Sequence, residues 1–250
     1  MARSRTRGLG GGAARRLERT SNQIEFEKYI ERKIPTYEYL NNEALEIIEA
    51  NAEIVLEEIG VRFSDNEGAL ELWRKAGADI KGDIVKIPKG MARLLCSSAP
   101  KSFKQLARNP NRSVMIGENN LVLAPVYGPP FIRTLEEGRR YATIDDFRNL
   151  VKLGYSSKWL HHSGGTLCEP TDVPVNKRHL DMLYAHMTLS DKPFMGSVTE
   201  PERAQDSVEM CRILFGNEIL NQSAVMTSLI NINSPLTFDS TMMGALEVYS

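Results

Sequence analysis

Apolar positions outline the first elements. From Tyr39 onward Leu40, Ala44, Ile47, Ile48, Val55, Leu56 and Ile59 recur near a helical period, and Gly60 follows as a stop, which predicts one long amphipathic helix. Ser64 and Glu67 stand at capping-box spacing before a second helical stretch that Gly77 closes. The run from Asp79 to Pro88 has the turn-flanked pattern of a small hairpin. Between Ser102 and Thr134, apolar stretches alternate with the turn signals Asn109-Pro110-Asn111 and Glu118-Asn119-Asn120, so strands joined by tight turns are expected. Residues 21–140 therefore read as an α+β region.

After Tyr141 the pattern changes. Thr143 and Asp146 fit a helix start, Trp159 to Thr166 reads as a strand, and Arg178 to Ser190 as the helix that follows it. Lys192 to Thr199 is the next strand, and Thr199 with Glu202 has capping-box spacing with Pro201 in the first turn. Ala224 to Leu236 is a third strand, after which Asp239 or Ser240 opens a last helix. Alternating strands and helices signal βα units and a parallel sheet. Three strands are too few for a closed eight-stranded barrel, although 250 residues would accommodate one. The fold expected is thus α/β, a partial TIM (β/α)8 barrel over residues 141–250 preceded by the α+β region, the chain being a fragment of a longer protein. A complete doubly wound sheet ranks second, because no Gly-rich phosphate turn is present.

Composition narrows the partners. Lys plus Arg number 31 against 32 Asp plus Glu, so no whole-protein field draws the chain to nucleic acid or to an anionic membrane. No apolar run approaches the roughly 18 residues of a membrane span, and no secretory signal is evident, which makes the cytoplasm the expected address. Cys96, Cys168 and Cys211 are too few and too far apart for a disulfide framework or a zinc cluster. Residues 1–20 hold six arginines, a glycine run and one acid, and are expected to form a disordered basic tail.

In a βα architecture the chemistry sits where strands end and loops begin. Three stretches become polar or glycine-rich there: His161 to Thr166, Gly196 to Thr199, and Asn231 to Pro235. Strand alternation points Asn231 and Asn233 inward and Ile230 and Ile232 towards the helices. Buried amides call for partners, either a ligand or a backbone and water network. His161 and His162 are adjacent, so only one of them can face a cavity; acid/base work or substrate binding stands beside the role of a satisfied core histidine. His179 and His186 lie on one helix face without a third ligand, so no metal site is assigned. The turn from Val126 to Phe131 has two prolines after a glycine and presents Tyr127 on a rigid path. Tyr127, Phe131, Phe194 and Trp159 are weighed as a cage for a quaternary ammonium against plain core packing. There is no P-loop, dinucleotide fingerprint, Gly-x-Ser-x-Gly elbow or His-Glu-x-x-His motif.

Taken together, VYGPPF, the block from His161 to Ser207 beginning HHSGGTLCEP, and LININSPLTFDS closely resemble the trimethylamine methyltransferase family. The resemblance runs from the long helix near Tyr39 to Ser250. It implies a TIM-barrel enzyme that moves a methyl group from a methylated amine, trimethylamine or a quaternary betaine, to the cobalt of a separate corrinoid protein. It further implies a corrinoid (cobalamin) cofactor carried by that partner and not bound directly, and a homo-oligomer when full length. Family members run to nearly twice this length, so the position that holds pyrrolysine in some of them would fall outside this chain. Under this resemblance Asn231, Asn233, His162 or His161, and Tyr127 are the candidates for orienting substrate or the corrinoid face. The competing expectation is a non-catalytic half-barrel, a remnant or binding protein.

Overall fold

Asn41 fixes the start of the first long helix by accepting a hydrogen bond from the Ala44 N–H at 2.9 Å. The computed structural model in which this is seen describes residues 26–250, and the basic tail expected over residues 1–20 lies outside the described residues. Helix α1 (Asn42–Ile54) runs straight into a single π-helical turn, Val55–Ile59. The apolar stripe forms as expected, but only its end is used. Leu56 packs against the core, whereas Leu45, Ile47, Ile48 and Ile59 are exposed. Gly60 then turns the chain at φ +84°, and a Cβ there would lie 2.6 Å from the Val85 carbonyl oxygen, so no other residue passes this close to the neighbouring strand.

The preceding short strand is β1 (Ile30–Glu31); β2 (Val61–Phe63), α2 (Glu67–Ala76), β3 (Asp79–Lys81) and β4 (Ile84–Lys86) come next. The cap of α2 is Asn66, not Ser64: the Ser64 N–H is bonded to the Phe238 carbonyl, which keeps Ser64 in the β2 line, and Asn66 accepts from the Ala69 N–H at 2.7 Å. Gly77 ends α2 in the left-handed conformation, and β3 and β4 form the expected antiparallel hairpin. A short helix, α3 (Met91–Cys96), leads to β5 (Ser102–Gln105), β6 (Val114–Gly117) and β7 (Asn120–Leu121), with a 3₁₀ turn at Pro110–Arg112 between the first two. β8 (Phe131–Thr134) and β9 (Gly138–Tyr141) make a separate hairpin.

Four larger helices follow with one short one among them: α4 (Ile144–Ser156), α5 (Arg178–Leu189), α6 (Pro201–Phe215), short α7 (Asn217–Gln222) and α8 (Ser240–Tyr249), with β10 (Thr237–Phe238) just before the last. Among the described residues the strands form three small open sheets, ordered β1-β7-β6-β5, β10-β2-β4-β3 and β8-β9. β10 runs parallel to β2, with Thr237 opposite Arg62 and Phe238 opposite Phe63. A barrel is not present in this arrangement, and the three strands expected after Tyr141 are extended segments instead.

Those segments nevertheless lie side by side. The Ser163 N–H bonds to the Pro193 carbonyl (2.7 Å), Met195 to Gly164 (2.9 Å) and Gly196 to Thr227 (2.9 Å), with Met195 and Thr227 in parallel register. The ladder stays short because side chains take its backbone donors: Gly164 N–H is bonded to His162 Nδ1 and Ser197 N–H to Ser207 Oγ. Helices α4, α5 and α6 cover one side. Phe147, Val151, Cys168 and Ala185 form one buried cluster there, and Leu183, Met187, Phe194, Cys211 and Val225 another. A third cluster joins Val61, Phe63, Leu70 and Val85 to Met243 of α8, tying the start of the chain to its last helix.

Two caps deserve comparison. Thr143 and Asp146 make the reciprocal box expected at α4. At α6 no such box forms; Pro201 occupies the first turn, the N-cap is Glu200 without a side-chain bond, and the Thr199 hydroxyl accepts from Arg203 Nη1 instead. Among the described residues no helix is long and apolar enough to cross a membrane.

Candidate functional site

The site is built where the extended segments end. Gly128 lies flush on the segment beginning at His161: its N–H donates to the Thr166 carbonyl at 2.8 Å, and a Cβ on it would sit 1.6 Å from the Leu167 carbonyl oxygen. With Pro129 and Pro130 removing two further donors, this contact fixes the turn and carries Tyr127 over Gly165. The Tyr127 hydroxyl donates to Met195 Sδ at 3.4 Å. A Cβ on Gly165 would stand 2.8 Å from that hydroxyl, so glycine makes room for it. From the other side, the Tyr249 hydroxyl of α8 donates to the Ser197 carbonyl at 2.5 Å, in space that Gly196 leaves open. Desolvation, and then the neighbouring Tyr249, raise the pKa of Tyr127 above that of a free phenol; desolvation also raises that of Tyr249. Tyr127 and Tyr249, the thioethers of Met195 and Met226, and Gly165 and Gly196 thus come together where the extended segments end, a place we call the mouth.

Beneath this mouth the histidines are locked. His162 is 2% exposed; its Nδ1 accepts from the Gly164 N–H at 2.9 Å, so Nε2 carries the proton and donates to Gln105 Oε1 at 3.2 Å. Gln105, itself buried, passes the chain on by donating to the Phe194 carbonyl. His186 is held the same way: Nε2–H donates to the Gly165 carbonyl (2.8 Å) and Nδ1 accepts from the Ser163 hydroxyl (2.6 Å). Burial lowers the pKa of His162 to about 3 and of His186 to about 4, so both are neutral at physiological pH. Phe147 meets the His186 ring edge-on at 5.3 Å, linking this network to the core of α4. His161 is equally buried; its Nδ1 accepts from the Leu123 N–H and its Nε2 has no partner. Burial, and then the Lys192 ammonium, push its pKa down.

The expectation that one histidine of the pair faces a cavity is therefore corrected. Both turn into protein, in opposite directions, because each ring finds a backbone N–H to accept from. The asparagines are corrected too. Asn231 and Asn233 are exposed, as is Ile232, so no desolvation cost arises. Asn233 Nδ2 donates to Asp239 at 2.5 Å and its backbone pairs with Thr237, which makes it the brace of the turn through Ser234 and Pro235. Asp239 caps α8 by accepting from the Met242 N–H. The aromatic cage is not assembled: Phe194 is buried against Phe215, Phe131 packs on Tyr141, and Trp159 lies exposed beside Lys158. Of Asn231, Asn233, His161, His162 and Tyr127, Tyr127 alone reaches the mouth, where it meets Gly165 from the first polar stretch while Gly196 and Ser197 of the second meet Tyr249.

Residues that sequence reasoning missed are Tyr249, Met195, Met226 and Gln105. Gln105 gave a usable signal, a wholly polar residue at the end of an apolar-flanked strand. Tyr249 gave none, since its position depends on α8 folding back past Pro201, which packs against Gly244.

The chain belongs to the trimethylamine methyltransferase (MTTB) family, whose model matches residues 8–250. It is 43% identical over 218 residues to a glycine betaine methyltransferase of Desulfitobacterium hafniense (strain Y51), covering 87% of this chain and 45% of that protein. It is 29% identical over 163 residues to a proline betaine:corrinoid methyltransferase of Eubacterium limosum, covering 64% of this chain and 33% of that one. The chain therefore spans less than half the length of the curated relatives it matches.

Proposed function

We propose that this chain is the N-terminal part of a cytoplasmic methyltransferase that moves a methyl group from a betaine-type quaternary amine to the cobalt of a corrinoid carried by a partner protein. The observation that carries this reading is the 43% identity to a glycine betaine methyltransferase over 87% of the chain. The proline betaine:corrinoid relative supports the acceptor. Residues 141–250 then supply the first βα units of a TIM barrel, and the full-length protein is a homo-oligomer.

In this reading the methyl carbon leaves nitrogen while the C–N electron pair stays on nitrogen, so a quaternary ammonium departs as a neutral tertiary amine. The corrinoid supplies the nucleophilic cobalt that takes the methyl group. The chain's own part is positioning. Tyr127 and Tyr249 present phenol oxygens at the mouth, where neutral hydroxyls and thioethers suit a methylated cation better than a carboxylate that would bind it tightly. His162, His186, Gln105 and Ser163 hold Gly164 and Gly165 in place from below and take no proton. Asn231 and Asn233, exposed near the end of the third segment, face the arriving corrinoid protein. The test is to incubate the full-length protein with reduced corrinoid protein and trimethylamine, glycine betaine or proline betaine, following cobalt methylation by absorbance. Methylation with a betaine is the expected result; no methylation with any of the three amines refutes the proposal.

A further inference from the structure

Helix α1 is seated with its apolar side outward. A helix on a protein surface ordinarily buries that side and gives its charges to solvent. Here Glu49, Glu53 and Leu56, which share one side at i, i+4 and i+7, face the body: Glu49 pairs with Arg93, Glu53 accepts from the Gly90 N–H at 2.9 Å, and Leu56 joins the core. The opposite side carries Ile47, Ile48, Asn51, Ile54 and Val55, and all five are exposed.

The order of those five residues is symmetric. Ile47 and Ile48 stand four and three positions before Asn51, and Ile54 and Val55 three and four positions after it. A face that reads the same in both directions fits its own copy run antiparallel about a twofold axis, the arrangement of an isologous interface. The two copies of Asn51 then meet on the axis, with Ile47 of each against Val55 of the other and Ile48 against Ile54. Asn51 Nδ2 donates to the Ile47 carbonyl at 2.7 Å, which leaves its Oδ1 for its twin, and a single polar residue in an apolar seam fixes register. Charge permits the pairing. In this register Glu43 falls opposite Ile59 and Glu58 opposite Ala44, so these outward acids meet apolar residues, while Glu49 and Glu53 are turned inward and engaged. The area suffices as well. Ile47, Ile48, Ile54 and Val55 are between 37% and 57% exposed. With Leu45 and Ile59 at the ends each face offers about 600 Å² of apolar surface, so two copies would hide on the order of 1,000 Å², the size at which a specific interface begins.

We infer that α1 is a dimerisation helix, paired antiparallel with α1 of a second copy of this chain about a twofold axis at Asn51. The inference rests on the homo-oligomer proposed for the full-length protein and names the surface that makes it.

The experiment uses the full-length protein in a Cys96→Ser background, because Cys96 is exposed and could cross-link by itself. Sedimentation at micromolar concentration should show a dimer or a multiple of one. Ile48→Glu should raise the dissociation constant at least 100-fold, since the pairing would bury two unpaired carboxylates, and circular dichroism should show the separated chains still folded. Asn51→Cys should oxidise to a covalent dimer, whereas Leu72→Cys on α2, also exposed, should not. A monomeric full-length protein, an oligomer that survives Ile48→Glu, or Asn51→Cys that cross-links no more than Leu72→Cys would each overturn the pairing, the last being the result expected if another part of the full-length chain covers this face. Should Ile48→Glu fail to fold, the Asn51→Cys result decides. An oligomer that survives Ile48→Glu removes this interface and leaves the proposed homo-oligomer standing, and cobalt methylation is read independently of both.

Discussion

Replacing Asp146 by Asn should loosen helix α4 by about 2 kcal/mol. The carboxylate closes the capping box, accepting from the Thr143 N–H and hydroxyl at 2.8 Å each, and receives Arg140 through both guanidinium nitrogens at 2.6 and 3.0 Å. A lost cap is worth about 1 kcal/mol, and a bidentate pair whose acid is 13% exposed and whose arginine is 33% exposed about another 1. The same bonds, the one from Arg140 first and those from Thr143 after it, hold the Asp146 carboxyl at about 2 against an ordinary 3.8. Because the folded value is depressed, the stabilisation is complete above about pH 4 and is lost as pH falls towards 2. Urea unfolding of both proteins from pH 7 down to pH 2 is the assay. The gap between them should be full at neutral pH and close in acid, and combining the change with Arg140→Gln should cost less than the sum of the two. A gap below about 0.5 kcal/mol at pH 7, or one that does not shrink in acid, would refute the reasoning, since surface changes without such roles fall in that range.

Gly128→Ala should destabilise by more than about 3 kcal/mol or prevent folding, since the new Cβ meets the Leu167 backbone; Gly68→Ala in α2, with only ordinary contacts, should gain up to about 1 kcal/mol in the same urea melts. Of the three thiols, only exposed Cys96 should react with a disulfide reagent in the native protein. Burial raises Cys168 to about 11 and Cys211 to about 12, and a count of three in denaturant against one in buffer checks this.

Local signals in the sequence translated well where one residue decides a conformation. Gly77, the Thr143–Asp146 box, Pro201 and Asp239 all stand where the pattern placed them. Readings failed where a side chain had two backbone partners to choose from. His162 could have pointed into a cavity, yet the Gly164 N–H two residues on captures its ring, and the ladder expected of a strand is cut short. Asn233 looked like an inward amide; instead the turn at Pro235 brings Asp239 within reach and the pair stays at the surface. The stripe on α1 was legible as a pattern, but periodicity says only that a face is apolar, not what covers it. Tyr249 could not be found at all, because the contact that gives it meaning joins residues more than fifty apart.

The pairing of β10 with β2 has a consequence for the order in which the molecule is made. β2, α2 and the β3–β4 hairpin emerge early and contact one another locally, whereas the partner that completes the edge of β2 is synthesised last but one among the described elements. Until Thr237 and Phe238 arrive, that edge is open and Phe63 lacks the ring of Phe238 that stacks on it at 5.2 Å. Closing so long a loop is slow compared with forming the hairpin. Tyr249 rides on the helix that this closure seats, so the mouth would mature after the histidine network, and a nascent chain halted before β10 would carry that network but no second tyrosine.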